Sequence, residues 1–397
     1  MTRDKNIAPS LAAFAIAPFA TAIYAVSRAG DKWTFFILAC FTALFGYCAI
    51  PDETMDFYRY LESVSDFSWS DSPSLDIYTY LVTGIVSLFT NNGHILMAVY
   101  GFIYGLLFAY ALKLFSAKNT MPRYAHLFFL FLFANAISLK GLGGVRFATA
   151  SFMLFIGVYN FILTGNKRYW LLICVTPLVH FSFAIYVGLF FFFYVLRKYP
   201  KIIIAIFLFS FVLNVSNVGS YISAYLPMLG EDIADRGDYY IDSDLDEMKT
   251  TYQGAFWTQV GIIFRICEYI ALGLILVHAK RKYGQFNFAS TTGLMFLFCL
   301  LFGAFGNIFD AVPHLGLRTQ NLFSSLLILP IFRYCGDNWN LRNIHMQLIS
   351  ILLLAGGMLK IIIGIRTITD ITPISLVFFP LPFVQFTETT MNVLFGL

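Results

Sequence analysis

A chain of 397 residues with 12% charged and 59% hydrophobic residues lacks the polar surface of a soluble domain, where about 25% of residues are charged. The mean hydropathy of +0.74 makes lipid the solvent for much of it, so the expected fold is an all-α polytopic membrane protein with roughly 11–13 transmembrane or re-entrant helices. The net charge of +4 sits in short basic clusters between apolar runs, which points away from nucleic acid and towards membrane lipid as the surrounding partner.

In chain order, apolar runs cover 11–27, 33–50, 75–90, 94–115, 124–139, 147–164, 170–196, 202–217, 257–278, 289–308, 320–335 and 344–363. A further apolar stretch covers 371–387. The run after Ser10 lacks a basic flank and a small-residue cleavage pattern, so it reads as a retained first span. No polar stretch is long enough to fold separately, and 1–397 reads as a single membrane domain. The six cysteines lie inside apolar segments without CxxC spacing, which calls for neither a disulfide framework nor a zinc site.

Lys and Arg set the orientation. The loops around Arg28, Lys113–Arg123, Lys167–Arg168, Arg197–Lys201, Lys280–Lys282 and Arg333–Arg342 hold 15 basic residues against Asp31 and Asp337. These belong in the cytoplasm. The loops at 52–74 and 218–256 are acidic and belong outside. Two departures from a simple zigzag follow. The run 75–90, with Asp76, Tyr78 and Tyr80 at its start, is expected to lie at or only partly in the outer face. The run 170–196 has basic clusters on both sides, so a re-entrant hairpin with His180 near the outer surface fits better than one tilted helix.

Isolated cations at the outer helix ends go against this charge rule and need a reason. Arg59 lies in Asp56-Phe57-Tyr58-Arg59-Tyr60; Arg146 follows the glycine-rich stretch that begins at Lys140; Arg318 follows His314; Arg366 precedes Asp370. Taken singly, each is more often an arginine snorkelling to headgroups or paired with an acid. As a set they suit an anionic ligand, because a planar guanidinium binds phosphate oxygens in pairs. His180, in an apolar run, is a candidate base or phosphate-orienting group. The bland alternative for it is a neutral imidazole bonded to a helix carbonyl. Arg265 and Glu268, three residues apart, are expected to neutralise each other structurally. The sequence contains no GxSxG, HExxH or P-loop motif.

The layout Asp56-Phe57-Tyr58-Arg59-Tyr60, then Gly144-Val145-Arg146-Phe147-Ala148, His180-Phe181-Ser182 and Arg318-Thr319-Gln320-Asn321 resembles the EpsG-like branch of Wzy-type bacterial polysaccharide polymerases, over about 50–370. The resemblance implies a glycosyltransferase of GT-C-like architecture in the bacterial inner membrane, with its site on the outer side. Its substrate would be an oligosaccharide repeat unit on undecaprenyl pyrophosphate, as in O-antigen or exopolysaccharide assembly, and a chain-length regulator is a possible partner. It implies that Arg146 and Arg318, with Arg59, Lys140, Arg366 and His314 as further candidates, face the pyrophosphate. His180 and Asp56 are then the catalytic candidates, in a single inverting displacement with no metal or other cofactor. Tyr58, Tyr60, Trp69 and Tyr78 are candidates for stacking on sugars or for plain interfacial anchoring. Relatives commonly carry a Pro-Tyr pair near the C terminus, where Thr372-Pro373-Ile374 stands here. Three rivals stand beside the polymerase: a glycan ligase of the same architecture, a transporter or flippase of lipid-linked sugars, and a membrane acyltransferase.

Overall fold

The computed structural model describes residues 7–51, 56–70, 76–116, 120–137, 144–212, 245–284, 286–309, 313–384 and 390–391. Among them the regular structure is helical, and the β-type pairing is the isolated bridge between Pro373 and Thr390. Among the described residues, six helices are long and apolar enough to cross a membrane, and six shorter apolar helices have 10–17 residues. The protein is a multi-pass, all-α membrane protein, as its composition requires.

The helices follow the apolar runs, with breaks where backbone chemistry demands them. The first run divides into α1 (Ile7–Ile16) and α2 (Pro18–Ser27). Pro18 lacks an N–H and pushes Ala17 out of helical geometry, to φ −145° and ψ 80°. Next come α3 (Lys32–Cys48), α4 (Asp56–Ser63), α5 (Ile77–Ser87) and α6 (Gly93–Lys113). The expected outer loop 52–74 therefore contains a helix, α4, which buries Phe57 and leaves Arg59 exposed. The 11 residues of α5 rise about 17 Å, roughly half the hydrocarbon thickness, too short to cross a bilayer alone.

After α7 (Arg123–Ala136) and α8 (Val145–Thr164), the run 170–196 is interrupted at His180. It becomes α9 (Arg168–Val179) and α10 (Phe183–Leu196), of 12 and 14 residues, each too short to cross a bilayer by itself. His180 adopts φ −148° and ψ 114°, and its carbonyl accepts from the Phe183 N–H at 2.9 Å to close the turn. The later helices are α11 (Pro200–Ser210), α12 (Leu245–Tyr283), α13 (Thr291–Ile308), α14 (Pro313–Asn338), α15 (Ile344–Thr369) and the short α16 (Ile374–Phe378). The second acidic loop lies outside the described residues up to 244, and α12 begins within it.

The chain packs as two compact units, Met1–Val187 with Ile361–Leu397, and Gly188–Lys360. In the first, α3 and α6 approach closely because glycines line the seam. A Cβ on Gly101 would stand 2.1 Å from the Thr42 carbonyl oxygen, and one on Gly46 2.3 Å from the Met97 oxygen. Gly101 and Gly105 are one helical turn apart, the small-residue spacing that lets membrane helices touch through their backbones. Gly93 does the same for α4, since its Cβ would meet the Leu61 oxygen at 2.0 Å. An aromatic core of Phe133, Phe152, Phe155 and Tyr159 joins α7 to α8. The C-terminal segment returns to this unit through the Ile50 N–H, which donates to the Ile371 carbonyl at 3.1 Å.

In the second unit, Gly303 and Gly306 on α13 seat Phe323 and Gln320 of α14. Several polar side chains there bond to one another, as groups away from water must. Asn307 links three partners: its amide donates to Ser210 Oγ, and its carbonyl oxygen accepts from the Tyr269 hydroxyl and from Gln320, each at 3.0 Å. Glu268, expected to pair with Arg265, accepts a hydrogen bond from Ser324 Oγ at 2.7 Å and lies in the field of Lys360 as well as Arg265.

Candidate active site

The start of α8 positions Arg146 in its first turn, beside the turn between α9 and α10 and beneath the entrance to α5. Asp76 is the residue before α5, where an aspartate ordinarily caps its own helix. Here its carboxylate makes no capping bond. One oxygen instead forms a short ion pair with Arg146 Nη1, and the other accepts from the Phe181 N–H at 2.8 Å. Asp76 is 3% exposed, so a buried carboxylate is matched by a guanidinium and a backbone donor. This pins α5, α8 and the His180 turn together.

The other edge of Arg146 faces Asp56, at 3.8 Å from Nη2. That is an ion pair without hydrogen-bond contact, and Asp56 is 42% exposed. Asp56 also sits 3.7 Å from Arg59, one turn along α4, whose side chain is 77% exposed. The Arg146 guanidinium lies 5.9 Å from the Tyr60 ring centre. Burial pushes the Tyr60 hydroxyl up to about 12, with Arg146 partly offsetting it, so Tyr60 is a neutral donor at physiological pH.

His180 is buried beside Phe147, whose ring centre lies 5.7 Å away. Its Nδ1 accepts from the Ser182 N–H at 3.3 Å and lies 3.0 Å from Ser182 Oγ. The accepting nitrogen is thus engaged, and the neutral ring carries its proton on Nε2.

Of the residues picked from the sequence, the structure brings together Arg146, Asp56, Arg59 and the His180 turn. Lys140 lies outside the described residues, and His314 is described only as part of the α14 backbone. Arg318 is half-buried in the early turns of α14, within the second unit. Arg366 is half-buried in the last turn of α15, where a cation suits the negative end of the helix. Asp76 was not among the sequence candidates. The aromatic candidates divide: Tyr60 and Tyr78 pack about Tyr100, at 5.8 and 5.6 Å between ring centres. Trp69 is exposed and braced edge-on by Phe67 and Tyr80, with Gly84 beneath it. Among the described residues, no three His, Cys, Asp or Glu side chains converge as metal ligands would.

The cluster thus sets a half-exposed acid against a guanidinium that is anchored from behind, at the ends of apolar helices. The model of the EpsG family matches residues 33–396, and the chain belongs to that family of Wzy-like polymerases. No curated protein and no solved structure matches the chain.

Proposed function

We propose that the protein polymerises oligosaccharide repeat units carried on undecaprenyl pyrophosphate, at the outer face of the bacterial cytoplasmic membrane. Family membership supports a polysaccharide polymerase. The observation that carries the site assignment is the asymmetric setting of Arg146, held by buried Asp76 on one edge and loosely faced by exposed Asp56 on the other.

In this reading an acceptor hydroxyl attacks the anomeric carbon of the growing chain from the face opposite the pyrophosphate. The bond from that carbon to the pyrophosphate oxygen breaks, and its electron pair leaves with the phosphate. Configuration inverts. Asp56 takes the hydroxyl proton, and Arg146 stabilises the charge gathering on the leaving group, so guanidinium charge serves where other enzymes use a metal. Asp76 is a positioning residue, since it fixes Arg146 and the Phe181 N–H. His180 offers its Nε2 proton to a substrate oxygen. The role implied for Arg318 rests on the family resemblance alone. Trp69, exposed and braced, is the natural platform for a sugar face.

The test uses purified full-length protein in detergent with a synthetic undecaprenyl-pyrophosphate repeat unit of the host's polysaccharide, followed by gel electrophoresis. A ladder of products that persists in EDTA is expected. If the same lipid instead crosses vesicle membranes without being elongated, the protein is a transporter. Transfer only onto an unrelated acceptor makes it a ligase.

A further inference from the structure

The second unit holds a cavity of about 350 Å³ lined by His278, Arg281, Lys282, Asn343, Ile344 and His345. It lies where α12 ends and α15 begins, in the loops that the distribution of Lys and Arg assigns to the cytoplasm. We propose that this cavity binds a phosphate group, as a binding site separate from the polymerisation chemistry.

Its walls carry donors and positive charge without acid. Among the described residues neither Arg281 nor Lys282 pairs with a carboxylate. Arg281 Nη1 lies 2.7 Å from His345 Nε2. A guanidinium only donates, so Nε2 accepts, and the neutral imidazole must carry its proton on Nδ1. That Nδ1 is buried and has no hydrogen-bond partner among the described residues.

The remaining groups agree. Lys282 Nζ donates one hydrogen bond, to Asn338 Oδ1 at 2.9 Å, and an ammonium has three protons to give. His278 uses Nδ1 against the Tyr334 hydroxyl at 2.6 Å. Asn343 caps the helix start by accepting from the His345 N–H at 2.9 Å, so the positive pole of α15 adds to the field in the cavity. Basic residues in cytoplasmic loops commonly just satisfy the charge rule as solvated side chains. Such residues have no reason to line a cavity together with two imidazoles. A tetrahedral anion answers the like charges and the spare ammonium protons together. Its source is either a lipid headgroup or a soluble phosphate, and the two are separable by experiment.

The full-length protein is tested in two arms. Radiolabelled inorganic phosphate is measured by equilibrium dialysis. Lipid retention is read by native mass spectrometry after exchange with phosphatidylcholine vesicles containing phosphatidic acid. Retention of phosphatidic acid over phosphatidylcholine with no dialysed phosphate bound identifies a headgroup site; phosphate binding identifies a soluble source. In either case the Arg281→Gln/Lys282→Gln variant is expected to bind at least tenfold more weakly while still polymerising. If that variant does not fold, His345→Phe takes its place, with binding about threefold weaker expected. Absence of both kinds of binding in the wild type, or binding unchanged in the folded variant, overturns the proposal.

Discussion

Two charged clusters among the described helices, around Glu268 and around Arg146, are built on opposite plans. Around Glu268 in the second unit, the acid is 3% exposed, is hydrogen-bonded by Ser324 and has basic neighbours in Lys360 and Arg265. Around Arg146 in the first unit, the innermost acid, Asp76, is equally buried, but the outer acid, Asp56, is 42% exposed and held loosely, at 3.8 Å from Arg146 and 3.7 Å from Arg59. The first arrangement is closed: it satisfies a polar group that lipid would not tolerate and joins helices. The second is closed on one side and open on the other. The proposed site uses that open side, because an incoming anion and hydroxyl need an anchored guanidinium with an accessible partner.

The largest effect should come from removing the anchor's partner. Arg146→Ala is expected to lower the polymerisation rate by about 10²–10³-fold or more, as loss of one charge-stabilising donor does. It also strands the buried Asp76 charge, at a cost of about 3–5 kcal/mol in stability, readable in thermal unfolding. Asp56→Asn comes next. It should lower the rate by about 10²–10⁴-fold as the proton acceptor is lost. Its stability should change by less than about 1 kcal/mol, because an exposed ion pair is worth little. An Asp56→Asn variant that unfolds would mean that the open side is structural after all. Trp69→Ala should raise KM for the lipid-linked substrate by about tenfold with kcat nearly unchanged, the pattern of lost uniform binding. The smallest effect belongs to the closed cluster. Glu268→Gln keeps an acceptor for Ser324 and should leave the polymerisation rate within about threefold, since the group does not meet substrate.

Much of this was legible in the sequence, because lipid leaves few choices. Apolar runs must be helices, and the two runs that the charge clusters singled out are a short helix, α5, and a pair of helices broken at His180. The anomalous Arg146 also stood out, since a cation at an expected outer helix end needs a partner or a ligand. Asp76 did not. An aspartate before a helix reads as a cap, and its true partners, Arg146 and Phe181, lie 70 and 105 residues further along the chain. A signal was present all the same: an acid at the mouth of an apolar helix too short to span. Tyr60 and Tyr78, candidates for stacking on sugars or for anchoring, both pack about Tyr100, a contact that no spacing in the sequence shows. Glu268 found Ser324 on another helix, which no local spacing rule could show.

The central claim is that the open side of the Arg146 cluster performs the transfer. The most direct measurement compares ladder formation by Asp56→Asn and Glu268→Gln with wild type, using protein samples matched for thermal stability and the same lipid-linked repeat unit. A drop of about 10²-fold or more in Asp56→Asn, with Glu268→Gln close to wild type, is the predicted result. Equal activity of the two variants, or the larger loss in Glu268→Gln, would contradict the account.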